Sequence, residues 1–422
     1  MTHDSIPRII GAPFEAAAFE QEVVSHSFLG RSLMIVSRPK AVQHILLRNS
    51  DNYVRPEAAH RVLSPPIGDG LFLAEGDEWR RQRKLLTPAF AARAVPHLST
   101  HVVRHARPML SRLRAGPLDS APLFETLRDL TIAIAADAFF GIDLAPYAQE
   151  VRALSSSYTE RLARGDILDF LLPLWLPTPR DWARRRFRRN WLALITRIVD
   201  ARRTPADADS LFAQLDASET PRGIFVQQVA TILITGSETT GAALFWSVYL
   251  AATRPEVQAR VAEEARAAGI DGENPAAALE RLPYTRAVVS EAMRLYPPAL
   301  SIVRQALGPD DADGVAIAKG AIVQTAPWVL HRHRLLWTRP DEFDPARFLP
   351  GAPEPERYSY IPFGVGARQC IGMQFALAEA TLVFAMLMER FGIAPTTDRP
   401  VTPVAQITLQ PNDPAPFRLT PR

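Results

Sequence analysis

A mainly α-helical fold with a minor β part, an α+β chain gathered into one large domain, is what this sequence predicts. Three observations carry it. Helical hydrophobic periodicity dominates from about residue 96 to residue 300. Strand-like pieces sit near the two ends. No Gly/Ser linker, low-complexity tract or internal repeat divides the 422 residues. The chemically suggestive segments lie near residues 80, 240, 290, 350 and 370, and one domain folded around one site gathers them better than a string of modules.

Taken in order, a strand-containing part covers about residues 1–75, a helical core about 76–300, and a cysteine loop 363–372, all within a single domain over 1–422. LGRSLMIVS (29–37) has the composition of a short strand. DEWRRQRKLL (77–86) is a helix with Asp77 as its N-cap and Pro88 marking its end. Residues 221–253 form one long apolar helix, and 285–296 a shorter one stopped by Pro297-Pro298. Strands are expected at 301–306, 314–325 and 405–410. Residues 337–369 are rich in Pro, Gly and Arg with little periodicity, and 372–391 is a strongly apolar helix.

Composition excludes several function classes. The net charge of +3 gives no support to nucleic-acid binding. The single cysteine rules out an intramolecular disulfide and a multi-cysteine zinc site, and it suits a reducing compartment. The N-terminal MTHDSIPRII lacks a charged region followed by an apolar one. No uncharged apolar run approaches the roughly 20 residues that span a bilayer. A cytoplasmic monomer without a membrane span is expected.

The cysteine sits in FGVGARQCIG (363–372), spaced Phe-x-x-Gly-x-Arg-x-Cys-x-Gly and leading into an apolar helix. A metal-bound thiolate needs donors close by, because a buried unpaired anion is very costly. Gly366 and Gly372 allow tight turns that aim amides at sulfur, the following helix adds its positive end, Phe363 can exclude water, and Arg368 can pair with an anionic cofactor edge. A nucleophilic cysteine is the other reading, since a helix N-terminus also favours a thiolate. It needs a histidine base, for which His331 and His333 stand as candidates.

This ten-residue segment resembles the haem-binding signature of the cytochrome P-450 family. The resemblance implies a domain with haem b between the long central helix and the Cys-loop helix. Cys370 would be the iron ligand, with Phe363, Gly364 and Gly372 beside the cofactor. It extends to further motifs in family order over roughly residues 30 to 410. Glu291-Ala-Met-Arg294 resembles the family's Glu-x-x-Arg, and PDEFDPARF (340–348) supplies Arg347; the resemblance implies a buried ion network of Glu291, Arg294 and Arg347 holding the Cys loop. Trp79 and Arg83, four residues apart, resemble a pair that donates to a haem propionate, and Arg304 resembles another propionate ligand.

TGSETT (235–240) resembles the family's small residue, Gly, any residue, acid, Thr; Gly236, Glu238 and Thr239 match, and Thr235 departs from the commoner Ala or Gly. Reduction and cleavage of O2 consumes protons. A mid-helix Gly and a Thr hydroxyl competing for carbonyls would loosen the turn and admit O2 and water. Thr239 would then donate a hydrogen bond while Glu238 relays protons. Ile232, Gly236 and Thr239 fall on one face.

By resemblance, Leu71, Phe72, Phe225, Val229, Ile232, Ile302, Val303, Ile407 and Leu409 wall an apolar pocket. An apolar small-molecule substrate follows, a fatty acid, terpenoid or aromatic. No flavin, nicotinamide or iron–sulfur motif is found, so electrons would come from a separate ferredoxin or flavodoxin and its reductase. Arg80, Arg81 and Lys84 are the expected docking charges. The Glu238–Thr239 pair favours O2-driven chemistry over peroxide-driven or rearranging relatives. A haem gas sensor and a cysteine hydrolase stand as rivals. The run RDWARRRFRR (180–189) is either a solvated helix face or a contact for anionic lipid.

Overall fold

A computed structural model describes residues 8–9, 12–28, 30–114, 123–201, 211–218, 220–270, 274–396, 398–411 and 417–422. Helices build most of it: α1 (Glu57–Ile67), α2 (Gly76–Leu86), α3 (Val95–Arg114), α4 (Leu123–Phe140), α5 (Pro179–Asp200), α6 (Arg222–Ala252), α7 (Pro283–Leu295) and α8 (Met373–Arg390). The central α6 is apolar nearly all round and is therefore buried, packing against α1, α4, α5, α7 and α8. Its Trp246 stacks on Tyr296 with ring centroids 4.1 Å apart, and the indole N–H donates to the Leu409 carbonyl. Among the described residues no helix is long and apolar enough to cross a membrane.

The principal sheet has five strands, β1 (Val23–Phe28), β2 (Arg31–Val36), β3 (Tyr53–Val54), β4 (Ile302–Ala306) and β5 (Ile322–Thr325), in the order β1-β2-β5-β4-β3. β2 pairs parallel with β5, Leu33 against Ile322, and β4 antiparallel to β5, Arg304 against Val323. The sheet thus joins the two ends of the chain and carries Arg304 to the site.

Several sequence expectations shift. The strand expected over 29–37 is β2, residue 29 lying outside the described residues, and its hairpin partner β1 went unread. Asp77 does not cap α2: Glu75 holds the N-cap position, and Asp77 lies in the first turn bonded to Arg80. The strand expected at 405–410 is a hairpin of β6 (Pro403–Ala405) and β7 (Leu409–Pro411), with Ile407 in the turn. The expected stretch 314–325 resolves into the two-residue strand Ala316–Ile317 and β5, with Gly320 at positive φ between them.

Candidate functional site

The Cys loop is shaped by Gly364 and Gly366, both at positive φ, a region open to glycine at little cost. Gly372 has φ −89° and needs no such freedom, which corrects the reading that paired it with Gly366. A Cβ on Gly366 would collide with the Leu46 carbonyl oxygen of a π-turn at His44–Arg48, so only glycine lets the loop press that close. A Cβ on Gly364 would meet Ile302 Cδ1 at 3.6 Å. The Cys370 amide donates to the Phe363 carbonyl at 2.9 Å and closes the loop.

The Cys370 side chain is exposed, yet surrounding protein desolvates it and raises its thiol pKa, opposed by the Gly372 amide and by Arg83. The thiol thus combines accessible surface with closely packed protein atoms around it. Arg83 donates to the Gln369 carbonyl at 2.9 Å, on the residue before the cysteine, and its charge favours the thiolate.

Beside the loop, guanidinium groups converge. Arg368 lies over the Trp79 ring, 4.2 Å from its centroid, donates to the Ala74 carbonyl and is paired with Glu75. Arg55 reaches the same Glu75 at 3.1 Å. Arg304 is held down to about 9 by burial and by the charges of Arg55 and Arg368, with Glu75 opposing. The one hydrogen bond of its guanidinium among the described residues goes to the Val303 carbonyl. Arginine keeps its proton in proteins, so Arg55, Arg304 and Arg368 around the Glu75 carboxylate, with Arg83 by the Cys loop, leave a surplus of positive charge. A planar group with a metal for the thiolate and two carboxylates for the arginines matches that donor set; haem b is such a group. Arg55 and Glu75 belong to no motif of their own, although Glu75 caps the helix that carries Trp79 and Arg83.

Glu291 and Arg294 are fully buried and bidentate, at 2.7 and 2.8 Å. Arg347 comes within 3.6 Å of Glu291. Burial pushes the Glu291 carboxyl up, while Arg294, the Asp344 amide and Arg347 pull against it. Arg294 also donates to the carbonyls of His331, Pro340 and Glu342, fastening the segment that precedes the Cys loop. The expected triad is therefore brought together.

In α6, Thr235, Gly236 and Thr239 keep accessible surface, whereas every other residue from Gln228 to Val248 is buried. The helix runs unbroken, although Thr239 Oγ1 donates to the Thr235 carbonyl at 2.7 Å and Thr235 to Thr231 likewise. Ile232 is buried, so Thr235 replaces it on the open stripe. Glu238 points into the core. Arg128 Nη1 lies 3.7 Å from one oxygen and Gln410 donates to the other at 3.0 Å, while burial raises its pKa against both.

Of the apolar residues expected to wall a pocket, Phe225, Val229, Ile232 and Leu409 are buried, Phe225 packed edge-on to Phe212. Leu71, Phe72, Ile302, Val303 and Ile407 keep open surface, with Arg55 over the Phe72 ring. The docking charges are weaker than expected: Arg80 is paired with Asp77 and Arg81 with Glu78, leaving Lys84 as the one of the three with no such bridge among the described residues. Neither candidate base serves a cysteine hydrolase. His331 Nε2 accepts from the Ile361 amide and is pushed down to about 3, chiefly by burial, and His333 Nε2 lies 3.1 Å from the Gln21 carbonyl.

A protein-family model described as Cytochrome P450 matches residues 12–417. Cyclooctatin synthase of Streptomyces melanosporofaciens is 33% identical over 93% of this chain and 86% of its own length. Taurochenodeoxycholic 6 alpha-hydroxylase of Sus scrofa is 27% identical over 90% of this chain and 80% of its own. The cytochrome P450DA heme domain superposes with a TM-score of 0.80 over 95% of this chain and 90% of that one, and at 22% identity this likeness speaks to the fold. A six-coordinate cytochrome P450 of Thermus thermophilus gives a TM-score of 0.73 at 25% identity, over 95% of each chain. The chain belongs to the cytochrome P450 family and is a haem b-dependent monooxygenase.

Proposed function

We propose that the enzyme inserts one atom of O2 into an apolar organic substrate of the fatty acid, terpenoid or aromatic type, by hydroxylation or epoxidation. The observation that carries this is the open stripe Thr235–Gly236–Thr239 in an otherwise buried α6, backed by the buried acid Glu238. Haem b, when bound, supplies the iron at which O2 is reduced and split. Cys370 would hold that iron through its thiolate, with the Gly372 amide and Arg83 favouring the anion. Phe363, Gly364 and Gly372 frame the sulfur. Arg304, Arg368, Arg55 and Trp79, with Arg83, would donate to the propionates, and Glu291, Arg294 and Arg347 would hold the loop in register.

The Thr239 hydroxyl rests on the Thr235 carbonyl and turns to donate a hydrogen bond into the recess. Glu238, inclined by burial to keep its proton, restores that proton from behind. Leu71, Phe72, Ile302, Val303 and Ile407 exclude water around an apolar guest, with Phe225, Val229 and Ile232 as the rigid layer beneath. The relative named as a 6 alpha-hydroxylase supports hydroxylation.

Electrons come from a separate ferredoxin or flavodoxin with its reductase, Lys84 contributing to docking. The single cysteine suits the reducing cytoplasm, where the chain works as a monomeric single domain over 1–422. A screen of apolar compounds by haem difference spectroscopy, followed by turnover with a reconstituted ferredoxin system, tests this reading. Binders that shift the haem absorption spectrum and yield a product one oxygen heavier are expected. Response to polar compounds alone would contradict it.

A further inference from the structure

The arginine cluster beside the Cys loop contains one carboxylate, Glu75, to which the oxygen chemistry above gives no part. Glu75 occupies the N-cap position of α2, yet its side chain makes no capping hydrogen bond. Glutamate is not among the residues favoured there; Ser, Thr, Asp and Asn are, because their shorter side chains reach the first free amides. The Glu75 side chain turns instead to the arginines. Its Oε1 accepts from Arg55 Nη1 at 3.1 Å, and its Oε2 is paired with Arg368. Its main-chain carbonyl accepts from the Trp79 amide at 3.3 Å, and Arg368 lies over that same indole.

Each carboxylate oxygen therefore serves a different arginine, brought from a different part of the chain. Arg55 follows β3 and covers the Phe72 ring at 4.9 Å, whereas Arg368 belongs to the Cys loop. The Arg55 and Arg368 side chains are only 9% and 16% exposed, and that of Glu75 33%, so water screens these pairs less than it screens surface bridges.

Arg304 has no carboxylate partner among the described residues. It feels the charges of Arg55 and Arg368, with Glu75 opposing them. Three guanidinium groups thus share one carboxylate, and the two propionates of haem b would complete a neutral set. With Glu75 neutralised, the same set would keep a positive charge beside the cofactor.

We propose that Glu75 is a positioning residue for haem, which aligns Arg55 and Arg368 for the propionates and whose charge holds down the reduction potential of the bound cofactor. In the reduction, haem iron takes one electron from the partner protein and the cofactor loses one unit of positive charge. A neighbouring anion therefore favours the oxidised form. The inference rests on the seating of the propionates by Arg55, Arg304 and Arg368 proposed above.

Spectroelectrochemical titration of the full-length holoprotein is the test. Haem content and the carbon monoxide spectrum check that each variant is intact. Glu75→Gln keeps the shape and removes the charge. It should raise the ratio of reduced to oxidised haem at fixed poise by about fivefold, roughly 40 mV at about 59 mV per decade. Glu75→Ser installs a favoured N-cap residue, so α2 should form at least as well as in the wild type, and the potential should rise in the same direction. Glu75→Asp, which keeps the charge, should leave the potential near that of the wild type. A purely structural role would not produce this split. An unchanged or lowered potential in both Glu75→Gln and Glu75→Ser overturns the proposal. Arg304→Gln separates it from the reading beneath: weaker haem retention or a lowered potential there supports the seating of the propionates. No effect on either in Arg304→Gln overturns that seating, and the role of Glu75 with it.

Discussion

Gln410 donates to Glu238 across 172 residues of chain, at 3.0 Å, and so ties the β6–β7 hairpin to the acid of the central helix. The other Glu238 oxygen faces Arg128. The acid is buried, and burial raises its pKa, so the folded enzyme favours the protonated form above the ordinary carboxylate range. Turnover should therefore decline as pH rises through that titration. Glu238→Gln should bind haem normally, lower turnover by about tenfold or more, and flatten this limb of the profile. An unchanged pH profile would exclude Glu238 from the proton path.

Thr239 directly follows that acid in the chain and keeps accessible surface. Thr239→Ala should load haem as the wild type does, yet pass electrons into hydrogen peroxide in place of product. Electron consumption measured against product and peroxide checks this, with product per electron expected to fall by about tenfold. Full coupling in the variant would remove the hydroxyl from the relay.

Arg294 is bound to Glu291 and to three carbonyls inside the core. Removing it strands a buried carboxylate and costs about 3–5 kcal/mol, a large part of a typical domain's stability. Arg294→Ala should fail to yield stable holoprotein. Arg347→Ala, at the partly open edge of the same carboxylate, should give soluble protein with weakened haem retention. Normal melting and haem content for Arg294→Ala would contradict the proposed role.

His331 accepts from the Ile361 amide, which only the neutral ring can do. Burial first, then Arg294 and Arg332, lower its pKa from 6.5 to about 3. Between those values the unfolded chain takes up a proton that the folded chain refuses. Stability is thus present above pH 6.5 and lost as pH falls, by about 1.4 kcal/mol per pH unit. Melting temperatures from about pH 7 down to about pH 4 should drop less steeply in His331→Gln than in the wild type. Parallel curves would show that another group sets the slope.

The sequence was most legible where function forces local pattern. The Cys loop, the Glu-x-x-Arg pair and the TGSETT segment are contiguous, and α6 and α8 are long enough for hydrophobicity to reveal them. What it hid is made by distant chain. Arg55, Glu75, Arg128 and Gln410 join the site through tertiary contacts with no spacing of their own. The π-turn against Gly366 has no composition signal. Arg80 and Arg81 looked like free charge because an i,i+3 pair with Asp77 or Glu78 depends on rotamer choice, which a sequence does not state.

The sulfur–iron bond is the claim on which the rest depends, and the carbon monoxide spectrum of the reduced protein tests it most directly. The wild type should show a Soret band shifted strongly to the red, the mark of thiolate ligation. Cys370→His should keep haem and lose that shift. A wild type without the shift, or a Cys370 variant that retains it, would contradict ligation by Cys370.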